Sequence, residues 1–199
     1  VNNNFFSVSI NFLTKIREYL YGEIIGSHDP DSVNEFCETL LKNFIENHVN
    51  PFSELCKSIP SRKFKQLPHE REVILDYYQN SDQGNFVKME EDIRNLKSQF
   101  LLLKDFQRKR QIIGEQLNKK EDEHEEFLNS QVGKEVIDRE TMERFNLELN
   151  KLRKENSSLY SEEIKCKEFI QKLYDDIPFC IEQLKHQMDK LNKPSQLYI

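Results

Sequence analysis

Histidine and cysteine, the side chains that most often hold metals or act as nucleophiles, are scattered along the 199 residues of this chain. No two of the five histidines are four residues apart, and the four cysteines form no Cys-x-x-Cys pair. Zinc sites and metalloprotease centres use such close spacings because ligands on neighbouring turns can reach one ion. The glycine-rich nucleotide-binding patterns and the His-Glu-x-x-His pattern are also absent. We therefore expect no enzyme activity, no catalytic residue, no metal and no cofactor.

The charge of the chain limits the partners that it can bind. Charged residues make up 32% of the sequence and hydrophobic residues 37%, with a formal net charge of −6. Proteins that bind DNA or RNA need a basic surface for the phosphates, so we expect no direct contact with nucleic acid. A negative chain is also repelled by anionic lipid, and no run approaches the roughly 18 apolar residues of a membrane span. We therefore expect no membrane partner.

The elements that must carry the function are helices, and the first two are predicted to form a pair. Ser9 is predicted to cap a first helix whose apolar residues share one face, and residues 26–31 to form a turn. Asp31 or Ser32 then caps a second helix. Residues 1–59 are thus predicted to be a helical-hairpin head. Its apolar positions are Ile10, Leu13, Ile16, Leu20, Ile24, Val33, Phe36, Leu40, Phe44, Phe52, Leu55 and Ile59.

A connector and a coiled-coil stalk are predicted to follow the head. Residues 60–85 contain two prolines and a short predicted helix, and residues 86–177 have apolar side chains alternately three and four positions apart, a series that we call the seam. A break is expected near 129–137. Pro178 should end the stalk, leaving a short helix and tail over 178–199. The seam residues expected to bind partner chains are Met89, Ile93, Leu96, Phe100, Phe145, Leu149, Leu152, Leu159, Ile170, Leu173 and Ile177.

Together these elements predict an all-α fold, with an N-terminal helical-hairpin head followed by an elongated coiled-coil stalk. Residues 86–128 and 138–177 can fold back on one another in antiparallel fashion, or each can pair with another chain. One seam per helix offers little apolar surface for a core, so partner chains are the simpler explanation. The periodicity does not distinguish identical partners from different ones.

Three short stretches resemble a known family. Phe5-Phe6 is followed by a polar step and by Ser9-Ile10-Asn11-Phe12, residues 43–52 end the predicted hairpin, and residues 59–70 form an exit that contains two prolines. These stretches and their order are similar to the Mis-twelve (Mtw) family, whose members are subunits of the MIND kinetochore complex. Where that family has Gly-Phe-Thr-Pro after the phenylalanine pair, this chain has Ser7-Val8-Ser9-Ile10.

The resemblance implies structural work at the centromere, in the nucleus. It implies a subunit of a rod-shaped, four-protein complex that joins inner-kinetochore CENP-C to the outer, microtubule-binding Ndc and Knl proteins during chromosome segregation. The other subunits would be of the Nnf, Nsl and Dsn types, with the Nnf type on the head and the other two on the stalk. Phe5 and Phe6 match aromatic residues near the CENP-C contact. The same two rings are also placed to staple the start of the first helix.

Two other classes of protein share these features. A membrane-bending dimer of the BAR type has a similar length and similarly broken helices, and the stretch 49–52 fits it. Lys104, Arg108, Lys109 and Arg110 are a candidate basic face for such a dimer, although the net charge of −6 argues against it. The third alternative is a generic coiled-coil tether or adaptor, for which the sequence has no specific mark.

Overall fold

A computed structural model describes residues 5–50, 85–134, 136 and 138–192 of the chain. All regular structure in these residues is helical, which confirms the all-α class for the described part. The division into a hairpin head and a coiled-coil stalk stays a prediction. In chain order the elements are α1 (Phe5–Ile24), α2 (Pro30–Glu35), π1 (Phe36–Leu41), α3 (Lys42–Phe44), π2 (Ile45–Val49), α4 (Asn85–Gln131) and α5 (Arg139–Asn192).

The chain divides into two compact units. The described part of the first unit comprises residues 5–50, 85–97 and 169–192, and that of the second lies within residues 98–168. Both units therefore use segments of α4 and of α5. The predicted domain boundaries follow the order of residues along the chain, whereas these units follow contacts, and the predicted boundaries stay a prediction. The predicted kink at Pro51 and the connector lie outside the described residues.

Helix α1 begins earlier than the sequence pattern predicts. It starts at Phe5, so Ser9 lies inside the helix and is fully buried, and the prediction of a Ser9 cap is wrong. Phe5 and Phe6 are in the first turn instead of preceding the helix. Phe6 is also fully buried, which extends the apolar face backwards by one turn. Burial of that ring in the core outweighs the preference of serine for a capping position.

The turn after α1 depends on one glycine and one aspartate. Gly26 has φ of 69°, a backbone conformation that glycine adopts without strain. The Oδ1 atom of Asp29 accepts hydrogen bonds from the backbone N–H groups of Asp31 (2.9 Å) and Ser32 (2.8 Å). Asp29 is therefore the cap of α2, and the prediction of Asp31 or Ser32 as the cap is wrong. The helix starts two residues earlier because Pro30 has a fixed φ suited to the first helical position.

A stack of three rings holds the turn against α1. Tyr19 lies between His28, 4.2 Å away, and Phe36, 3.8 Å away, measured between ring centroids. The Nε2 atom of His28 is 2.9 Å from the backbone oxygen of Tyr19. A β-carbon at Gly22 would be only 2.3 Å from that nitrogen, so glycine is what lets the imidazole ring approach. Burial raises the pKa of Tyr19 to about 12.

The core of the first unit draws side chains from four stretches of chain. Phe12 and Phe44 are in contact, with ring centroids 4.6 Å apart, which packs α1 against α3. The N-terminal part of α4 is joined to π1 by an ion pair between Lys97 and Glu38. The buried apolar side chains are Phe6, Leu13, Ile16, Leu20, Val33, Phe36, Cys37, Leu41, Phe44, Met89, Ile93, Leu96, Ile170, Leu173, Ile177, Cys180 and Leu184.

In the second unit α4 and α5 run antiparallel. Arg110 is paired with Glu163, and Arg153 with Glu121 at 2.8 Å, so residues later in α4 meet residues earlier in α5. The break that the sequence predicts is present, because α4 ends at Gln131 and Gly133 has φ of 82°. Asp138 then caps α5, accepting hydrogen bonds from the N–H and hydroxyl groups of Thr141 at 3.0 and 2.7 Å. The periodicity left open whether these helices pair with one another or with other chains. In this unit α4 and α5 pair with one another, in antiparallel fashion.

The prediction that Pro178 ends the helix is wrong. Helix α5 continues through this proline to Asn192, although proline removes one backbone hydrogen bond and costs about 3 kcal/mol inside a helix. Ile177, Cys180 and Leu184, on both sides of Pro178, are each no more than 1% exposed. Their burial keeps the seam on the core side and offsets the local cost.

Candidate interaction sites

Eight of the eleven predicted seam residues are buried within the chain itself. Six belong to the first unit and are at most 4% exposed; these are Met89, Ile93, Leu96, Ile170, Leu173 and Ile177. In the second unit Phe100 and Leu149 are buried, whereas Phe145, Leu152 and Leu159 are half-buried. Of the seam residues in the second unit, Leu149, Leu152 and Leu159 lie in one apolar cluster. Their role in partner binding stays a prediction, and a partner that used the buried positions would have to displace this internal packing.

The apolar part of the second unit is small. Ile113, Leu117 and Leu149 form one buried cluster, against which Leu152 and Leu159 pack with part of their surface exposed. Two helices cannot surround each other's side chains completely, so a narrow stripe is all that they bury. Leu101, Ile112 and Leu147 lie outside this cluster and are exposed.

A buried ion pair interrupts this apolar stripe. Glu163 is only 3% exposed and is paired with Arg110 across the two helices and with Lys167, 2.5 Å away on α5. The guanidinium group of Arg110 also lies over the ring of Tyr160, 4.6 Å from its centroid. Burial alone would raise the pKa of Glu163, but hydrogen bonds from Lys167 and Arg110 lower it below its usual value. The carboxylate is therefore held ionised, and its pair with Arg110 favours this register of the two helices.

Glu163 lies at a seam position, four residues after Leu159, but this spacing does not identify its partner. Arg110 was grouped with Lys104, Arg108 and Lys109 as a candidate basic face. Pairing across two helices depends on their register, which the spacing within each helix does not give. The spacing of Arg110 could have revealed its position. It lies three residues before the buried Ile113, which places it on the inner side of α4.

A second polar group lies nearer to the turn between the helices. Lys120 is within 2.8 Å of Glu123 on its own helix and 3.0 Å of Glu148 on α5. Its hydrogen bonds to Glu123, the larger contribution, and to Glu148 raise the pKa of Lys120 above its usual value. The ammonium group also lies 5.5 Å from the ring centroid of Phe145, which in turn contacts His124. These contacts join the two helices beside the rings of Phe127 and Phe145, which lie 5.5 Å apart between centroids.

The two predicted CENP-C residues lie at the N-terminus of α1. Phe6 is fully buried in the first unit, so its ring serves the core of this chain. A partner could contact that ring only after it had left the core. The predicted role of Phe5 and Phe6 in partner binding stays a prediction, and the burial of Phe6 favours an indirect contribution through the shape of the first turn.

Two surfaces that the sequence did not single out remain open. In the first unit, α1 and α5 form a groove of about 590 Å³, in which the Arg17 guanidinium lies 4.2 Å above the ring of Tyr174. In the second unit, the outer face of α4 exposes Leu101, Leu102 and Ile112, each between 43% and 51%. Residues far apart in sequence form the groove, so no local pattern predicts it. The outer face was missed because its apolar residues fall between the seam positions.

Cysteines and candidate metal ligands are the chemically active side chains considered in the sequence. Cys37, Cys166 and Cys180 are buried, and burial raises the pKa of the Cys166 thiol, which keeps that thiol protonated. No three His, Cys, Asp or Glu side chains among the described residues are grouped to hold a metal ion. None of the described helices combines the length and the apolar character that crossing a membrane requires. A scan against protein-family models found no match, and searches of curated proteins and of solved structures found none either.

Proposed function

We propose that this chain is a non-catalytic structural subunit of a kinetochore linker complex of the MIND type, in the nucleus at the centromere. The proposal rests on the resemblance of residues 5–12, 43–52 and 59–70 to the Mis-twelve family. It is supported by the helical character of the described residues. Such a subunit works by holding other chains at fixed places, for which helices with long outer faces are suited.

The single observation that supports this proposal most is the packing of the stretches that carry the resemblance. Phe6 and Phe12 belong to the first of these stretches, and Phe44 to the second. Phe6 and Phe44 are at most 1% exposed, and Phe12 contacts Phe44. The two stretches therefore form one folded element, as the proposed head requires. In this proposal the paired α4 and α5 of the second unit are the stalk.

Within the proposed complex, each part of the chain has its own partners. The Nnf-type subunit and CENP-C bind the first unit, with Phe5 and Phe6 at the CENP-C contact. The Nsl-type and Dsn-type subunits bind the stalk, and the complex as a whole recruits the Ndc and Knl proteins. Because Phe6 is buried, we propose that it acts by holding the first turn of α1 in place.

Co-expression with candidate Nnf-, Nsl- and Dsn-type subunits tests this function. We expect one complex with one copy of each chain in size-exclusion chromatography with light scattering, and binding of a CENP-C peptide to it. Phe5→Ala should weaken that binding at least tenfold while the other three chains remain bound. Far-ultraviolet circular dichroism of the complex controls for loss of helix.

The rival classes predict other results from the same material. A BAR-type dimer would form without the three subunits and would sediment with vesicles of phosphatidylserine. A generic adaptor would bind neither the three subunits nor the vesicles. Recovery of the chain without any of the three subunits, under conditions where they assemble with one another, would overturn the proposed function.

A further inference from the structure

The outer face of α4 in the second unit combines apolar and basic side chains in one stripe. Leu101, Asp105, Arg108 and Ile112 follow one another at intervals of three and four residues, which places them on the same side of the helix. Leu101 is 51% and Ile112 47% exposed, and the side chain of Arg108 is 72% exposed. Leu102, 43% exposed, widens the stripe at its first end. We call these side chains, with Lys109, the outer stripe.

The charge of this part of α4 is opposite to that of the whole chain. Between residues 98 and 119 there are five Lys or Arg residues and two acidic ones, in a chain whose net charge is −6. Within the outer stripe, Asp105 alone faces two cations, Arg108 at 3.0 Å and Lys109 at 2.6 Å. One carboxylate cannot neutralise both, so a positive charge remains between the two apolar ends.

The dimensions of the outer stripe match one kind of ligand. Leu101 and Ile112 are separated by about 16 Å along the helix axis, or three turns at 1.5 Å per residue. A second helix lying along the stripe would place its own apolar side chains at that spacing. Carboxylates on its intervening turns would then meet Arg108 and Lys109.

We propose that the outer stripe is a docking surface for an acidic amphipathic helix of another protein, with apolar residues about 11 positions apart and carboxylates between them. This deepens the proposed function, on which it rests only for the identity of that protein. The seam faces α5 and is covered, whereas the outer stripe is the exposed apolar face of α4 in this unit. A partner chain can therefore bind here without disturbing the pair of helices.

Two other occupants fit the outer stripe less well. A second copy of the chain, lying antiparallel along the same stripe, would place Arg108 near the copy's Asp105, but the four cations of the two stripes would share only two carboxylates. A membrane surface favours a continuous apolar face, whereas the apolar ends here are separated by two turns of charged side chains. An acidic helix satisfies the apolar ends and the cations together.

Binding of two synthetic helices to the full chain tests this inference. One peptide has leucines 11 positions apart with glutamates on the intervening turns, and the other has lysines in place of the glutamates. In fluorescence anisotropy at low salt, we expect the acidic peptide to bind at least tenfold more tightly than the basic one. Added salt should weaken this binding, since exposed charges are screened. Arg108→Glu with Lys109→Glu should weaken the acidic peptide at least tenfold and improve the basic one.

Matched variants on α5 separate the outer stripe from surface charge in general. Lys151→Glu with Lys154→Glu makes the same change of charge at two exposed positions of the same unit. Ile112→Ala removes one apolar end of the outer stripe. Leu147→Ala, at a position of α5 that is 70% exposed, is its control. We expect the control variants to bind the acidic peptide within twofold of the original chain. Equal loss in the stripe and control variants, or no preference for the acidic peptide, would overturn the inference.

Further measurements distinguish the other occupants and the proposed function. Stronger binding to phosphatidylserine vesicles than to the peptide, lost in Arg108→Glu with Lys109→Glu, would replace the helix by a membrane. Self-association lost in the same variant would replace it by a second copy. If the chain binds the acidic peptide but not the Nnf-, Nsl- and Dsn-type subunits, the proposed function fails and the docking surface stands. If the chain assembles with these subunits but shows no preference for the acidic peptide, the docking surface fails and the proposed function stands.

Discussion

The two compact units bury their side chains in different ways. The first unit draws on four stretches of chain, and eight of its residues, among them Phe6, Leu13 and Leu96, are fully buried at 0% exposure. The second unit has two helices, and Leu152 and Leu159 stay partly exposed beside its small apolar cluster. The first unit adds a stack of aromatic rings, and its ion pair between Lys97 and Glu38 is exposed, whereas the second unit buries Glu163 in its pair with Arg110. Apolar burial therefore dominates the stability of the first unit, whereas register and charge matter more in the second.

The largest effect that this comparison predicts is the removal of a core ring from the first unit. Phe6→Ala should lower the free energy of unfolding by about 3–5 kcal/mol, because a fully buried ring leaves a cavity. Phe145→Ala in the second unit should cost clearly less, since Phe145 is half-buried. Urea denaturation followed by circular dichroism measures both. Phe179→Ala, at a position that is 56% exposed, is the control, and equal losses for Phe6 and Phe145 would contradict the comparison.

The second effect concerns the buried ion pair of the second unit. Glu163→Gln should cost about 1.5–3 kcal/mol, because hydrogen bonds to a charged group are lost and Arg110 keeps its charge. Glu162→Gln is a matched control, since Glu162 pairs with Lys165 at the surface, where ion pairs contribute about 0–1 kcal/mol. Thermal unfolding of the two variants makes the comparison. If both variants behave alike, Glu163 does not fix the register.

The same pair predicts the direction of a pH dependence. The pKa of Glu163 is lower in the folded chain than its ordinary value of 4.5, so protonation favours the unfolded chain. The stabilising contribution is complete above that ordinary value and is lost as the pH falls through the lower folded one. Urea midpoints measured between about pH 6 and pH 3 should fall less steeply for Glu163→Gln than for the original chain. Parallel curves would show that other carboxylates account for the loss.

The third effect tests the ring stack of the first unit. Gly22→Ala should cost about 1–2 kcal/mol, because the new β-carbon displaces His28 from its stack and from the Tyr19 oxygen. With His28→Ala in the same chain, the change should become neutral or stabilising, since alanine is the better helix former. A double-mutant cycle by thermal unfolding measures this coupling. A cost that persists without His28 would mean that the close approach is not its cause.

The smallest effect sharpens the account of charges on the second unit. Arg153→Ala removes the exposed ion pair with Glu121 and should change the free energy of unfolding by less than about 1 kcal/mol. High salt should reduce even this difference, because exposed pairs are screened. Thermal unfolding at two salt concentrations gives the result. A loss as large as that of Glu163→Gln would show that exposed and buried pairs contribute equally.

The helical class and most of the buried face could be predicted from spacing alone. Ile93, Leu173 and Ile177 are buried as the alternation of three and four residues requires, because that alternation fixes one side of a helix. Spacing does not say what covers that side, so the antiparallel pairing and the partner of Glu163 required coordinates. The errors at Ser9 and Pro178 have one cause. In both, packing of distant residues outweighed a local preference of the backbone.

Turns π1 and π2 in the first unit affect how the chain tolerates changes in its length. A π-helical turn bonds each carbonyl to the fifth residue ahead instead of the fourth, so it accommodates one residue more than an α-helical turn. Deleting one residue from π1 can convert it into an α-helical turn and leave Phe44 facing the core. Deleting one residue from the middle of α4, which has no such reserve, would rotate all later side chains by about 100° and expose Ile113. Natural insertions and deletions should therefore be found within residues 36–49 more readily than within the paired part of α4.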